Sequence, residues 1–253
     1  MAAALVCGTI GNNDSDQAAF DCDLVKTDSF LDEFSFMALG DESCRSQSCT
    51  DTVSTWKSDI VFDLIVDPKE SRSSNLEREI NRTFSILKGA TGIGARLGGS
   101  DKSLFFIIVD KKVETQLSDG ILGFISGSIF REKFLPIISR GKCIGNIVSV
   151  LGTDSRDIIG GVVFIPQTVL HSNNEILQKC VLEETFNGFG LFRDPKGQAS
   201  LFDNQNYVQD GKDITYSNKT LLMIRYLYYL GARSDRAFQN FEQSVCEKDV
   251  HER

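Results

Sequence analysis

Apolar and polar positions divide the chain into a sparse first part and a patterned remainder. Residues 1 to about 55 are rich in Asp, Ser and Cys, and such a composition predicts an irregular, partly ordered arm over 1–55. The only apolar cluster of this arm consists of Phe30, Leu31, Phe34, Phe36 and Met37. Folded patterning begins at Trp56, so we expect one domain over 56–233 and a helical tail over 234–253.

The patterned region contains four short apolar runs that predict buried strands. Residues 59–67 and 103–110 are such runs, bounded by residues that favour turns. Two more runs lie within 143–166 and predict a hairpin that turns at Thr153 to Arg156.

Helical spacing and capping residues predict three longer helices between these strands and after them. Ser74 and Glu77 form a capping box that opens a helix over 75–92. Ser172 and Glu175 form a second capping box, and its helix continues to Gly188. A third helix covers 219–233. Together with the strands, these helices predict an α+β fold with a mixed sheet of about four to five strands.

The second helix ends in the segment EETFNGFGL, residues 183–191, which has the frame of a zinc peptidase motif without its ligands. Zinc peptidases carry His-Glu-x-x-His there, often followed by two residues and a glycine. Glu183, Glu184 and Asn187 occupy the three motif positions, and Gly190 follows. Positions 183 and 187 share a helix face, whereas position 184 is rotated by about 100°. The frame is therefore retained while both imidazoles are replaced.

Around this segment the chain resembles the bacterial family known as domain of unknown function 2927. The similarity spans roughly 53–233, including the GGVVFIP strand. Its most specific positions are Glu183, Glu184, Gly190, Leu191, Asp194, Ser200, Leu201, Phe202, Asp203, Leu227 and Tyr228. The resemblance implies an exported protein with a zincin-like fold, an active-site-type helix and C-terminal helices. It implies no reaction, because the family has none assigned.

The residues themselves favour binding over catalysis. A catalytic zinc site needs imidazole ligands, an open position for water and a carboxylate base. The chain has two histidines, and neither His171 nor His251 can be presented on the motif face of the helix. We therefore expect no cofactor, and zinc least of all. The predicted function is that of a non-catalytic binding or scaffolding protein, a degenerate relative of the metallopeptidases.

Three other roles remain open at the motif. Glu184 is a candidate general base, with Glu183 and Asn187 beside it, for a peptidase-like or glycan-directed hydrolase with a non-zinc metal or none. Oxygen ligands could also hold Ca²⁺ or Mg²⁺, and the candidates are Glu183, Asn187, Asp194 and Asp203. A purely structural role would instead place one of the two glutamates in a partly buried, hydrogen-bonded pair, with Arg193 or Arg225 as partner.

Seven cysteines suggest disulfides in an oxidising compartment, since none of them shows the paired spacing of a zinc ribbon. The start of the chain resembles the tail of a trimmed secretion signal, with a flexible tail as the alternative. Cys143 opens a predicted strand, Cys180 lies midway along the motif helix, and the resembled family often has cysteines in similar places. We predict a Cys143–Cys180 disulfide, with two buried thiols as the alternative. The pairing of Cys7, Cys22, Cys44, Cys49 and Cys246 is open.

Charge narrows the choice of partner. The formal net charge of −8 argues against a nucleic-acid surface, which needs clustered Lys and Arg. No segment reaches the roughly 18 apolar residues of a membrane span. We expect an exported periplasmic or extracellular protein whose partner is a protein or a component of the cell envelope.

Overall fold

A computed structural model describes residues 27–39, 53–66, 73–98, 104–109, 130–151, 156–191, 194, 200 and 207–232. These residues mix helices and strands, as predicted. In chain order the elements are α1 (Asp28–Leu39), β1 (Ser54–Thr55), β2 (Ile60–Ile65), α2 (Ser73–Thr91), β3 (Ala95–Leu97), β4 (Leu104–Val109), a π-helical turn (Phe130–Phe134), α3 (Leu135–Ile138), β5 (Ile144–Leu151), β6 (Arg156–Pro166), α4 (Gln167–Leu170), α5 (Asn174–Gly188), β7 (Tyr207–Asp210), β8 (Asp213–Tyr216) and α6 (Asn218–Ala232).

The main sheet is mixed and has an antiparallel edge strand. Its strand order is β5, β6, β4, β2 and β3, with β6, β4, β2 and β3 parallel and β5 antiparallel to β6. The short strand β1 pairs with Arg156 and Asp157 of β6. Because β5 pairs with the same two residues on one edge of β6, β1 lies on the other edge, the one that faces β4. In the part of the chain that the structure describes, the main sheet thus has six strands. The prediction of four to five missed β1 and β3, which span only two and three residues and are too short to show a periodic pattern.

The predicted hairpin over 143–166 is confirmed by the antiparallel ladder between β5 and β6. The register shifts between Val148 and Ser149, where Ile159 of β6 is left without a partner in the ladder. Strand β6 has neighbours on both edges and is buried from Gly160 to Pro166, which explains why its sequence is continuously apolar instead of alternating.

Helix α5 lies in the core and packs against α2, β5, β6 and β8. A helix that is buried on most sides presents no single apolar stripe. Its buried residues are Leu177, Gln178, Cys180, Val181, Leu182, Glu184, Thr185, Phe186 and Gly188. The motif is therefore carried by a central element of the fold.

The predicted irregular structure of 1–55 is wrong for α1, which is a regular helix that packs into the core. Phe30, Phe34 and Met37 follow helical spacing and are 0%, 3% and 1% exposed. The Phe34 ring meets Tyr226 of α6 edge-on with a centroid distance of 4.7 Å, and Lys219 of α6 pairs with Glu33. The remainder of the predicted arm up to residue 52 and the predicted tail over 234–253 lie outside the described residues.

A second, two-stranded sheet was not predicted. Strands β7 and β8 pair antiparallel, with Gly211 at a positive φ in the turn between them. The Asp210-Gly211 dipeptide is a strong local signal for such a hairpin. Among the described helices, none is both long and apolar enough to cross a membrane.

Candidate functional site

Helix α5 presents the motif in its last two turns, after a start that differs by one residue from the predicted one. The cap is Asn173, whose side-chain oxygen accepts a hydrogen bond from the Ile176 N–H at 2.9 Å. Ser172 was predicted to fill this role, but its hydroxyl donates back to the carbonyl of Val169 in the preceding turn. Both residue types are good caps, so sequence alone does not choose between neighbours.

The glycines that end α5 explain the retained part of the motif frame. Gly190 has φ +108°, and a Cβ there would lie 2.1 Å from the backbone oxygen of Ser54 and 3.1 Å from Leu227 Cδ2. The Trp56 indole N–H donates to the Gly188 carbonyl at 2.8 Å, which satisfies one of the free carbonyls at the helix end. Gly190 is therefore required by the close approach of α5 to β1.

The Leu-Tyr pair of α6 belongs to the same junction. Leu227 is fully buried beside Gly190, and the Tyr228 ring lies 5.9 Å from the Phe189 ring. The Tyr228 hydroxyl accepts a hydrogen bond from the Trp56 backbone N–H at 3.4 Å. Leu227 and Tyr228, two of the positions that carry the resemblance, thus serve packing in this structure.

Glu184 is the buried acid of the motif and connects α5 to the edge strand β5. Its side chain is 6% exposed, and it accepts a hydrogen bond from the Gly145 N–H and another from the Asn187 side chain. A Cβ at position 145 would lie 3.0 Å from Glu184 Oε2, a tight contact, so glycine at 145 favours the close approach of strand and helix.

The surroundings of Glu184 favour its neutral form. Burial raises the pKa of Glu184 from its ordinary 4.5 to about 8, and the charges of Glu183 and Asp194 act in the same direction. The hydrogen bonds from Gly145 and Asn187 oppose this rise without cancelling it. At neutral pH the carboxyl is therefore mostly protonated. The Asn187 amide suits both forms, because it carries a donor and an acceptor.

Glu183 lies near a different element, the hairpin of β7 and β8. It is half-buried, and its charge acts on Tyr216 of β8. Burial raises the pKa of Tyr216 well above its usual value, Arg82 of α2 acts to lower it, and Glu183 adds to the rise. The Tyr216 hydroxyl donates to the Leu182 carbonyl at 2.7 Å. The charge of Glu183 thus acts on β8 as well as on Glu184, whereas the Glu184 carboxyl is bonded to β5.

The predicted oxygen ligands are brought together only in part. Glu183 and Asn187 are half-buried on α5, and Asp194 lies close enough to act electrostatically on Glu184. Asp203 lies outside the described residues, as does Arg193, one of the two arginines predicted as a partner. Within the described ranges no three His, Cys, Asp or Glu side chains are grouped as a metal site would need.

The predicted disulfide between Cys143 and Cys180 is present, with a Cα–Cα distance of 5.9 Å. Cys143 immediately precedes β5, and Cys180 lies one helical turn before Glu184. The bridge therefore joins the same two elements as the Glu184–Gly145 hydrogen bond. The other five cysteines lie outside the described residues.

Three residues that shape this site were not identified from the sequence: Gly145, Trp56 as a helix-end donor, and Tyr216. A glycine inside an apolar strand signals a close approach of another group, so Gly145 carried a usable hint. Trp56 and Tyr216 carried none, because their hydrogen bonds span 132 and 34 residues.

No protein-family model, curated protein or solved structure matches this chain.

Proposed function

We propose that this protein is an exported, zincin-like domain without zinc ligands, which acts by binding a protein or cell-envelope partner and not by catalysis. The observation that carries the proposal is the environment of Glu184. A general base must come within about 2.6–3.2 Å of the heavy atom whose proton it removes, in water or substrate. The Glu184 carboxyl is almost fully buried and already bonded to Gly145 and Asn187 of its own chain.

The positions of the histidines support the same conclusion. His171 follows α4 and lies before the start of α5, whereas the motif positions are at the opposite end of that helix. His251 lies outside the described residues. On the helix itself, Glu183 and Asn187 replace the two imidazoles of a zinc peptidase.

The zincin-like part of the proposal draws its support from the placement of the motif helix. Helix α5 packs beside the antiparallel edge strand of a mixed sheet, and a further long helix, α6, follows it. This agrees with the mixed sheet, active-site-type helix and C-terminal helix expected from the resemblance to domain of unknown function 2927.

Export is supported by the Cys143–Cys180 disulfide, because disulfides persist in oxidising compartments and are rare in the cytosol. The partner is proposed only by class, as a protein or an envelope component.

A hydrolase is the second candidate, and one observation favours it. Strongly shifted pKa values are enriched at catalytic sites, and the pKa of Glu184 is raised to about 8. In this alternative the buried acid would have to become exposed before it could remove a proton from water.

The two candidates are separated by assaying wild type, Glu184→Gln and the matched control Glu183→Gln on peptide and peptidoglycan substrates. We expect no hydrolysis that depends on residue 184, and the same envelope partner co-purifying with all three proteins. Wild-type hydrolysis that is lost in Glu184→Gln and kept in Glu183→Gln would overturn the binding function. Metal analysis of the purified protein should show substoichiometric zinc, and one tightly held zinc per chain would contradict the proposal.

A further inference from the structure

Strand β5 is attached to α5 by two contacts that follow each other at matched spacing. Cys180 and Glu184 are one turn apart on the helix, about 6 Å along its axis. Their partners Cys143 and Gly145 are two positions apart, about 6.6 Å along an extended chain. The disulfide is the first contact and the carboxyl hydrogen bond is the second. The start of β5 therefore runs alongside α5 and is fixed to it twice.

The rest of the attachment of β5 is limited, because it is an edge strand. Among the described strands it pairs only with β6, and the register of that ladder shifts after Val148. Cys143 and Ile147 pack on the core but are only partly buried. Of the two contacts with α5, the disulfide is the covalent one.

The two sulfurs differ in their access to solvent. Cys180 is 7% exposed within α5, whereas Cys143 is half-buried at the end of an exposed turn. The turn carries Arg140 and Lys142, both exposed, and their positive charge attracts an incoming anionic thiolate. An incoming thiolate therefore has its easier approach at Cys143.

We propose that the Cys143–Cys180 disulfide is a redox-controlled clamp whose reduction frees the start of edge strand β5 from α5 while the rest of the fold stays intact. A dithiol reductant is the co-reactant. One of its thiolates attacks the Cys143 sulfur, the S–S bond breaks, and Cys180 leaves as a thiolate that takes up a proton. The second thiol of the reductant then attacks the mixed disulfide, which releases Cys143 as a thiol and leaves the reductant oxidised.

The clamp is expected to act locally because the core does not depend on it. Helix α5 also packs on α2, β6 and β8, and the Gln178 side chain accepts a hydrogen bond from the Ile214 N–H at 3.2 Å. After reduction, β5 keeps its ladder to β6 and one hydrogen bond to α5, from the Gly145 N–H to the Glu184 carboxyl. Local opening of an edge strand of this kind is measurable by amide hydrogen exchange.

The test compares amide exchange of the full-length protein with and without dithiothreitol. Reduction should accelerate exchange in residues 143–147 at least about tenfold more than in α2, where exchange rises only through the loss of global stability. Other cysteines lie in 1–52 and 233–253, so the control is a Cys143→Ser/Cys180→Ser variant. In that variant 143–147 should exchange fast with or without the reductant.

Three outcomes would overturn the clamp. Unchanged exchange in 143–147 after confirmed reduction would show that the strand does not depend on the bridge. Equal acceleration in 143–147 and α2 would make the bridge a contributor to global stability only. A double variant that does not fold would likewise make the bridge a folding requirement and not a local clamp.

Discussion

Replacing Gly190 with alanine tests the claim that the motif frame is kept for packing at the end of α5. The residue has φ +108°, and the new Cβ would lie 2.1 Å from the Ser54 backbone oxygen. The obstacle is backbone of β1, which pairs with β6 in the main sheet, so it cannot move aside as a flexible side chain would.

The expected loss has two parts. A left-handed backbone costs a residue with a side chain roughly 1 to 2 kcal/mol. Forcing an extra carbon into a packed site costs about 1 to 3 kcal/mol more, and Leu227 Cδ2 at 3.1 Å adds to the crowding. We expect Gly190→Ala to lower the free energy of unfolding by about 2 to 5 kcal/mol.

Gly92→Ala is the matched control. Gly92 follows the end of α2 with φ +77°, and a Cβ there meets no atom within 4 Å. It should lose only the backbone part, about 1 to 2 kcal/mol. Urea unfolding of both variants measures the difference as a shift in midpoint at unchanged slope. Equal losses in the two variants would refute the claim that contact with β1 requires glycine at 190.

Three further variants test other parts of the site. Burial raises the pKa of Glu184 to about 8, so the folded state holds its proton more tightly than the unfolded state. Wild type should therefore lose about 3 to 5 kcal/mol relative to Glu184→Gln as pH rises from about 4.5 to about 8, measured by urea unfolding across that range; parallel pH profiles would contradict this. The Cys143–Cys180 bridge closes a loop between residues 37 positions apart. Removing it should lower the free energy of unfolding by about 3 to 4 kcal/mol in the same assay, and an unchanged midpoint would count against the bridge. Trp56→Phe removes the donor to the Gly188 carbonyl and should cost about 1 to 3 kcal/mol, and a loss below about 0.5 kcal/mol would show that this carbonyl finds another partner.

Elements whose pattern is local could be predicted from the sequence. The hairpin of β5 and β6 follows from two apolar runs with a turn between them, and the helix of the motif follows from its cap and its terminal glycines. Strands β1 and β3 could not be predicted, because each has only two or three residues and is defined by its pairing with a neighbouring strand. Helix α1 was missed because its short apolar cluster stands in a polar, cysteine-containing segment. Its helical spacing of Phe30, Phe34 and Met37 was the available signal.

The candidate site was predictable in its residues and not in their contacts. The frame at 183–190 identifies Glu184, but its burial depends on how α5 lies against β5, which no local pattern specifies. The contact with Gly145 spans 39 positions along the chain, from 145 to 184. For the same reason the arginine partners considered for the glutamates could not be chosen from the sequence.

The protonation state of Glu184 distinguishes a structural acid from an available base. It is measured directly by NMR titration of the Glu184 side-chain carboxyl carbon, whose signal is assigned by its absence in Glu184→Gln. The environment described here predicts a midpoint of about 8, with the carboxyl protonated at neutral pH. A midpoint near the ordinary 4.5 would mean a solvated, ionised carboxylate. That result would contradict the structural role of Glu184 and leave the residue free to act as a base.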